Sequence, residues 1–433
     1  MAATGALERL LAGRFPDPDG VGTLNVATRH VVIAPGLAGQ ERDLLRGARL
    51  DRRHWAVVSD ENTHPILGGR LEQALAPAVS IVLRHPHADM ETVAELRACS
   101  AGADALLAVG SGTINDLCKY AAFLDQKPYA VFGTAPSMNG YTSPTAAITV
   151  HGHKKSLPAG AAAAVFLDLD ILARAPARLI RAGLGDSLCR STAQADWLLA
   201  HLLRDEPYRE APFALLREDE GPLFAASAAL MQGDLAAMRL LARTLILSGF
   251  GMAICGSSMP GSQGEHLISH YADMMGQPDW PVSFHGEQIG VTTLTMARLQ
   301  EKMLAAPPPR LRASAPTETT IRTRFGAELG ASCWTEFAKK RLSSAAADAL
   351  TQRAAAHWPD IRRCIAAISR PARELEDVLR RSGAPLTPDA LGWPPAFYDE
   401  AVAHAREIRN RWTCLDLAAD AGVFDAPEAA LTA

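Results

Sequence analysis

The sequence predicts an α/β protein, with an N-terminal parallel-sheet nucleotide-binding domain, an all-α C-terminal domain, and an active site in the cleft between them. Two observations lead to this fold class. Short apolar runs alternate with helical patterns in the first half of the chain, which is typical of βαβ units. Apolar residues in the second half recur at helical spacing. The chain has 433 residues, enough for two domains, and the change of pattern places them at 1–175 and 176–433.

The first half contains apolar runs that predict parallel strands, because strands covered on both faces are apolar at nearly every position. These runs are HVVIAP (30–35), HWAVVSD (54–60), SIVLRH (80–85), DALLAVGSG (104–112) and YAVFGTAPS (129–137). The apolar spacing of residues 90–101 predicts a helix before the fourth strand. Residues 145–170 predict a hairpin-like excursion followed by one more strand.

After residue 175 nearly every segment has the apolar spacing of a helix. The exception is AAPPPRLRASAP (305–316), which predicts an internal loop or a boundary between helical subdomains. Residues after 420 are expected to form a loosely held tail.

The composition of the chain argues against several classes of protein. The formal net charge of −4 argues against a general nucleic-acid binder, whose surface is basic. No run of consecutive apolar residues reaches the roughly 18 that a membrane-spanning helix needs. The seven cysteines show no C-x-x-C spacing, and the first residues lack the basic and apolar regions of a signal peptide. We therefore expect a cytoplasmic protein without membrane insertion.

The fourth strand runs into Gly110-Ser111-Gly112 and then into a helical pattern. Glycines allow the backbone to approach a ligand, and a helix N-terminus carries partial positive charge, so this turn suits a pyrophosphate. It is neither the dinucleotide motif G-x-G-x-x-G nor a Walker A motif. A plain strand-to-helix turn is the alternative.

Two further stretches place small polar residues beside predicted elements. GTAPSMNGYTSP (133–144) follows the fifth strand, and its hydroxyls lie where loops border the ligand crevice of an open α/β sheet. Ordinary turn residues are the alternative. Asp186 follows Gly-Leu-Gly before a helical pattern, which favours an N-cap.

His266 and His270 are four residues apart on a predicted helix and therefore share one face. His285 lies just before another predicted helix. Together with Asp186, His266 and His285 would offer one carboxylate and two imidazoles, a set that fits a metal centre with an open position. A structural histidine is the alternative for each one taken alone.

The motifs GSGTINDLCK (110–119), TAPSMNGYTS (134–143), AGLGD (182–186), EHLISH (265–270) and HGEQIG (285–290) occur in this order. This ordered set resembles the sn-glycerol-1-phosphate dehydrogenases, and most closely the bacterial AraM type. That family belongs to the superfamily of iron-containing alcohol dehydrogenase, glycerol dehydrogenase and dehydroquinate synthase. The resemblance covers residues 30–300, whereas the region after 305 carries little that matches.

The resemblance implies a role for each matching residue. The implied cofactor contacts are Gly110, Ser111, Gly112, Thr113 and Asp116 at the pyrophosphate, Thr134, Ser137 and Ser143 at the nicotinamide, and Asp60 and Thr63 at the adenosine. The implied metal ligands are Asp186, His266 and His285, whereas His270 contacts the substrate. The implied cofactors are NAD or NADP and one divalent metal, with zinc as the first choice and nickel or iron as others.

The implied reaction is the interconversion of dihydroxyacetone phosphate and sn-glycerol 1-phosphate by hydride transfer. Asn139 stands where the family usually has Asp, and it keeps hydrogen-bonding capacity but loses the charge. This departure leaves open a reductase of another hydroxyketone or aldehyde. A dehydroquinate-synthase-like cyclase, which eliminates phosphate, and a non-catalytic binding module are further alternatives.

The implied partner is a small phosphorylated ketone or polyol. We expect the protein to form a homo-oligomer, most simply a dimer. We expect no binding of nucleic acid. Lys154 and Lys155 of HGHKKS (151–156) are candidates for the phosphate end of the substrate. A solvated basic hairpin is the alternative for these lysines.

Overall fold

A computed structural model describes residues 5–51 and 53–425 of the chain. Its strands are β1 (His30–Ala34), β2 (Trp55–Asp60), β3 (Val79–Leu83), β4 (Ala105–Gly110), β5 (Tyr129–Gly133), β6 (Thr145–Val150), β7 (His153–Pro158) and β8 (Ala164–Asp168). Its first ten α-helices are α1 (Ala6–Leu11), α2 (Glu41–Gly47), α3 (Gly69–Leu75), α4 (Met90–Cys99), α5 (Gly112–Leu124), α6 (Leu169–Leu172), α7 (Ala177–Leu188), α8 (Arg190–Arg204), α9 (Ala211–Ala214) and α10 (Glu220–Ala225).

The helices that follow make up most of the remaining described chain, as the helical spacing predicts. They are α11 (Ser227–Leu230), α12 (Leu235–Cys255), α13 (Gly264–Met275), α14 (His285–Ala305), α15 (Glu318–Phe325), α16 (Ala327–Phe337), α17 (Ser344–Ala366), α18 (Ala372–Ser382), α19 (Pro395–His404) and α20 (Cys414–Asp420). The loop predicted at 305–316 is confirmed between α14 and α15.

Six of the strands form one parallel sheet in the order β1-β8-β5-β4-β2-β3. The five strands predicted from apolar runs and the additional one, β8, are confirmed. Every residue of β4 and β5 is buried, as expected for strands covered on both faces. Gly110 pairs with Gly133, so β4 and β5 end side by side, and their following loops begin at the same sheet edge. Strands β6 and β7 form a separate two-stranded sheet, which confirms the predicted excursion.

Contacts divide the chain into two compact units, each built from several chain segments. The first unit takes its described residues from Met1–Val150, Lys154–Ser187 and Glu210–Ser258. The second unit takes them from His151–His153, Leu188–Arg209 and Met259–Ala433. The domain division expected at 175/176 stays a prediction.

Helix α12 is the one helix among residues 5–51 and 53–425 that is long and apolar enough to cross a membrane. The sequence has no uninterrupted apolar run of this length, because Arg239 and Arg243 interrupt the apolar residues of α12. The mean hydropathy of the helix is nevertheless high. In the structure 61% of the apolar window is buried. Arg239 donates to the carbonyl of Ile33 at 2.6 Å, and Arg243 pairs with Asp219 at 3.1 Å. Helix α12 is therefore a core helix of the first unit.

The second unit has its own apolar core. Residues of α13 and α14, such as Leu267, Ile268 and Val291, pack with the large buried side chains Trp358 and Trp412. The helix α13 thus buries one face in this core, and the polar residues of EHLISH occupy the rest of its first turns.

Candidate active site

The turn between β4 and α5 is the first element of the site. Gly110 has no room for a side chain, since a Cβ there would lie 2.7 Å from the Cβ of Ile114. The Ser111 side chain does not cap α5, and its hydroxyl instead forms a short hydrogen bond with the hydroxyl of Ser137. The first-turn N–H groups of a helix bind phosphate because they carry partial positive charge. The turn therefore keeps the geometry that suits a pyrophosphate.

The loop Thr134–Ser143, here called the hydroxyl loop, follows β5 and is stabilised by hydrogen bonds from buried side chains. The Tyr141 hydroxyl donates to the carbonyl of Ala135 at 2.7 Å. The ammonium of Lys119 is fully buried and donates to the carbonyls of Gly140 at 2.7 Å and Thr145 at 3.0 Å. Burial lowers the pKa of Lys119, although the nearby Asp116 opposes the shift. The loop therefore rests on two buried donors, Lys119 and Tyr141.

Glycines bring two helices onto the hydroxyl loop. A Cβ at Gly183 of α7 would lie 1.6 Å from the carbonyl oxygen of Pro136. A Cβ at Gly249 of α12 would lie 2.2 Å from the hydroxyl of Thr142 and 2.5 Å from the carbonyl oxygen of Asn139. Real Cβ atoms do not approach backbone oxygens this closely, so only glycine fits at either position.

Asp186 lies inside α7, so the predicted N-cap is wrong. The sequence Gly-Leu-Gly predicts a loop, but it lies inside α7, where the missing Cβ of Gly183 lets the helix approach the hydroxyl loop. Asp186 is buried, and its Oδ2 accepts from the backbone N–H of Asn139 at 2.7 Å. The amide of Asn139 donates to the hydroxyl of Ser248 at 3.3 Å. Asp186 thus fixes the position of Asn139, the residue that departs from the family pattern.

The end of β2 forms a closed polar turn. Asp60 Oδ1 accepts from the backbone N–H of Asn62 at 2.9 Å, from the backbone N–H of Thr63 at 2.8 Å and from its hydroxyl at 3.0 Å. The adenosine role of Asp60 and Thr63 stays a prediction.

Three histidines converge in the second unit. The ring centroids of His266 and His285 are 5.1 Å apart, those of His266 and His270 5.9 Å, and those of His270 and His285 6.0 Å. His266 and His270 lie one turn apart on α13 and are both buried, and His285 is the first residue of α14. The Ser269 hydroxyl donates to the side-chain oxygen of Gln288 at 2.6 Å and so links the two helices. We call these three residues the histidine cluster.

Glu265 sets the tautomer of His266. Its Oε1 lies 3.0 Å from His266 Nδ1 and accepts from the backbone N–H of Gln263 at 2.7 Å, while Oε2 accepts from the hydroxyl of Thr192 at 3.1 Å. Burial raises the pKa of Glu265, but the hydrogen bonds from His266 and from backbone N–H groups outweigh it, so the pKa is lowered. An ionised carboxylate only accepts, so the proton of this hydrogen bond lies on His266 Nδ1.

A second buried acid, Asp196 of α8, lies behind Glu265. It accepts from the side-chain amide of Gln300 at 2.8 Å and from the backbone N–H groups of Cys414 and Gly264, each at 3.1 Å. Burial and the negative charge of Glu265 raise the pKa of Asp196 to about 7. Asp196 therefore holds the start of α13 through Gly264.

Sequence comparison identifies the family of this chain. The family model described as iron-containing alcohol dehydrogenase matches residues 32–176. A glycerol-1-phosphate dehydrogenase (NAD(P)+) from Bacillus subtilis is 31% identical over 292 residues, which cover 65% of this chain and 74% of that protein. The enzyme of that name from Sulfolobus acidocaldarius is 32% identical over 272 residues, which cover 62% of this chain and 76% of that protein.

The chain belongs to the glycerol-1-phosphate dehydrogenase family. Solved structures show the same fold at lower identity. Glycerol dehydrogenase from Schizosaccharomyces pombe matches with a TM-score of 0.60 at 15% identity, covering 96% of this chain and 92% of that one. Maleylacetate reductase from Rhizobium sp. strain MTP-10005 matches with a TM-score of 0.60 at 16% identity, covering 93% and 96%.

An iron-containing family implies a metal, and the second unit of this glycerol-1-phosphate dehydrogenase family member fits one. One ring nitrogen of His266 and one of His285 lie within 4.8 Å of each other. Metal-binding histidines commonly donate their other N–H to a carboxylate, as His266 does to Glu265. The third predicted ligand, Asp186, belongs to the first unit. The full set of three ligands stays a prediction.

The remaining predicted cofactor residues lie in the first unit of this family member. Asp116 Oδ2 accepts from the backbone N–H of Ala147 at 3.1 Å, and Ser143 exchanges hydrogen bonds with Thr145. Thr113 lies in the first turn of α5, and Thr134 is buried at the start of the hydroxyl loop. Their cofactor contacts stay predictions.

The sequence reading missed several residues around the histidine cluster. They are Thr192, Asp196, Glu265 and Cys189. Only Glu265 carried a usable signal, since it precedes a predicted metal histidine. The others belong to α8 or lie next to it, and no spacing in the sequence connects that helix with α13.

Proposed function

We propose that this enzyme interconverts dihydroxyacetone phosphate and sn-glycerol 1-phosphate, with NAD(P) as the hydride carrier and one divalent metal. The relatives from Bacillus subtilis and Sulfolobus acidocaldarius bear the name of that activity. Within this chain, the observation that supports the proposal most strongly is the histidine cluster with Glu265 on the Nδ1 side of His266.

His266, His285 and Asp186 hold the metal in this proposal. His266 offers Nε2, because Glu265 takes the proton side of its ring. Asp186 supplies the carboxylate, whose Oδ2 also accepts from the backbone N–H of Asn139 at 2.7 Å. A bound divalent metal supplies a Lewis acid, and a bound nicotinamide supplies the hydride.

The other residues bind, orient and move a proton. The backbone of Gly110–Thr113 binds the pyrophosphate at the start of α5. Asn139, oriented by Ser248, donates to or accepts from a substrate hydroxyl. His270 gives a proton to the substrate oxygen when the ketone is reduced and takes one in reverse, because imidazole changes protonation near neutral pH.

The test follows NAD(P)H consumption by the metal-replete enzyme with dihydroxyacetone phosphate, using each cofactor in turn. Net consumption with formation of sn-glycerol 1-phosphate is expected. A dehydroquinate-synthase-like cyclase consumes no net NAD(P)H, so a lack of turnover on this substrate contradicts the proposal.

A second candidate follows from Asn139. A reductase of another small hydroxyketone or aldehyde does not need the lost carboxylate. Dihydroxyacetone and glyceraldehyde, which lack the phosphate, are compared with dihydroxyacetone phosphate for the natural chain and for Asn139→Asp. A preference for dihydroxyacetone phosphate that Asn139→Asp increases supports the first function, whereas a preference for an unphosphorylated substrate supports the second.

Lys154 and Lys155 belong to β7 and are proposed to bind the substrate phosphate. In that case Lys154→Ala and Lys155→Ala raise KM for the phosphorylated substrate and leave KM for an unphosphorylated one unchanged. An unchanged KM for both substrates removes the lysines from the site.

Finer properties complete the proposal. Zinc is the first choice of metal, and nickel, iron or manganese would suit the same ligand set. Metal analysis of protein purified without added metal decides among them. We further propose a dimer in the cytoplasm, which light scattering and cell fractionation test.

A further inference from the structure

The far side of the His266 ring carries a second group of metal-binding atoms. The Sγ of Cys189, a carboxylate oxygen of Glu265 and a ring nitrogen of His266 all lie within 4.8 Å of one another. Their residues are only 2%, 0% and 5% exposed. All three belong to the second unit. Of the three, His266 is also a predicted ligand of the catalytic metal, whereas Cys189 and Glu265 are not.

We propose that Cys189, Glu265 and His266 form a second cation site, selective for a thiophilic divalent ion such as zinc, whose occupation inhibits the enzyme. The site itself does not depend on the proposed reaction, and only the inhibition rests on it. The nitrogen that faces this site is Nδ1, because Nδ1 is the atom 3.0 Å from Glu265.

The donor set matches zinc rather than magnesium or calcium. Zinc binds sulfur at about 2.3 Å and nitrogen or oxygen at about 2.0–2.2 Å, usually with four ligands. Two oxygens adjoin the three donors and offer the fourth position. The carbonyl of Gly261 is 3.8 Å from the Cys189 sulfur, and the Thr192 hydroxyl is 3.1 Å from Glu265 Oε2. A thiolate among the ligands favours soft cations over hard ones.

A divalent cation can bind at this buried site without changing its net charge. When the cation binds, the thiol proton of Cys189 and the Nδ1 proton of His266 leave to solvent. Two positive charges enter and two leave, so the net charge of the cluster does not change. The large free-energy cost of adding net charge to a buried site is thereby avoided.

Inhibition follows from the shared imidazole. His266 Nε2 is the nitrogen assigned to the catalytic metal, and a cation on Nδ1 replaces the hydrogen bond to Glu265. Partners on the outer nitrogen tune the strength of a histidine ligand, so the exchange alters the first metal position.

Cadmium is the probe, because a cadmium–thiolate bond gives an ultraviolet charge-transfer band that nitrogen and oxygen ligands do not give. The holoenzyme is titrated with cadmium to equilibrium while absorbance, proton release and activity are followed. We expect a band that saturates at one cadmium per chain, two protons released per cadmium, and loss of activity in the same titration.

Cys189→Ala is the test variant, and Cys333→Ala is its control. Cys333 is also buried in the second unit, but it does not belong to the proposed cation site. Cys189→Ser serves as a second variant that keeps the size of the side chain. Both Cys189 variants should keep the first metal and lose the saturating band, with cadmium affinity lower by about 100-fold or more. The control should keep the band.

Three outcomes overturn the proposal. One is the absence of a band in the natural protein at saturating cadmium, and another is an unchanged band in the Cys189 variants. The third is equal loss of the band in Cys333→Ala. If the band behaves as expected but no substrate turns over, the cation site stands and the proposed function fails.

Discussion

The hydroxyl loop of the first unit and the histidine cluster of the second are held in place by different physical means. The hydroxyl loop is positioned by close backbone approach, with glycines of α7 and α12 against its carbonyls and buried donors beneath it. The histidine cluster is positioned by buried acidic side chains, chiefly the carboxylate of Glu265, with Asp196 holding the start of α13. A substitution that adds volume should therefore destabilise the hydroxyl loop. A substitution that changes charge at constant volume should disturb the histidine cluster.

The largest expected effect is from Gly183→Ala. The new Cβ would lie 1.6 Å from the carbonyl oxygen of Pro136, and a backbone atom cannot rotate away. The free energy of unfolding should fall by about 3 kcal/mol or more, because overpacking against backbone is not relieved by a new rotamer. Thermal or urea unfolding measures the loss.

Gly160→Ala is the matched control in the first unit, since a Cβ there meets nothing within 4 Å. It should change the free energy of unfolding by less than about 1 kcal/mol. Equal stability of both variants would contradict the close approach of α7 to the loop.

Glu265→Gln comes next and tests the histidine cluster by removing charge without removing volume. The amide oxygen still accepts from His266, but more weakly than a carboxylate. Metal affinity, measured by competition with a chelator, should fall by about 10- to 100-fold. Glu301→Gln is the control, because Glu301 accepts from the backbone N–H of Ala372 at 2.8 Å and not from a histidine. Equal affinities in the two variants would remove Glu265 from the metal site.

The smallest effect concerns pH. Burial and the charge of Glu265 raise the pKa of Asp196 to about 7 in the folded protein, above its ordinary value of 3.8. The protonated acid therefore stabilises the fold fully below pH 4, and this contribution is lost as the pH rises through 7. Unfolding free energies of the natural protein and of Asp196→Asn should diverge over this range. Parallel curves would show that Asp196 does not titrate in this way.

The sheet could be predicted from the sequence because its strands are short, rich in apolar residues and mostly separated by helices. The runs VVIA (31–34) and ALLAVG (105–110) leave little other choice. The family motifs also named the residues of the turn after β4, whose geometry depends on neighbours in sequence.

Asp186 and Glu265 show where such prediction ends. The sequence predicts Asp186 as an N-cap after two glycines, and the close approach of Gly183 to Pro136, which requires a glycine inside α7, has no local signal. Glu265 is adjacent to His266, yet adjacency does not place its carboxylate on Nδ1. That geometry depends on Thr192 of α8, 73 residues earlier, and on burial that no local pattern encodes.

The most direct test of the account is the metal content of His266→Ala and His270→Ala, purified side by side and equilibrated with the same metal. The account predicts that His266→Ala loses the metal, because it lacks the ligand that Glu265 orients. It predicts that His270→Ala keeps one metal per chain and loses turnover, because only proton transfer at the substrate is removed. Equal loss of metal in both variants would contradict this division and would make the two histidines of α13 a shared pair of ligands.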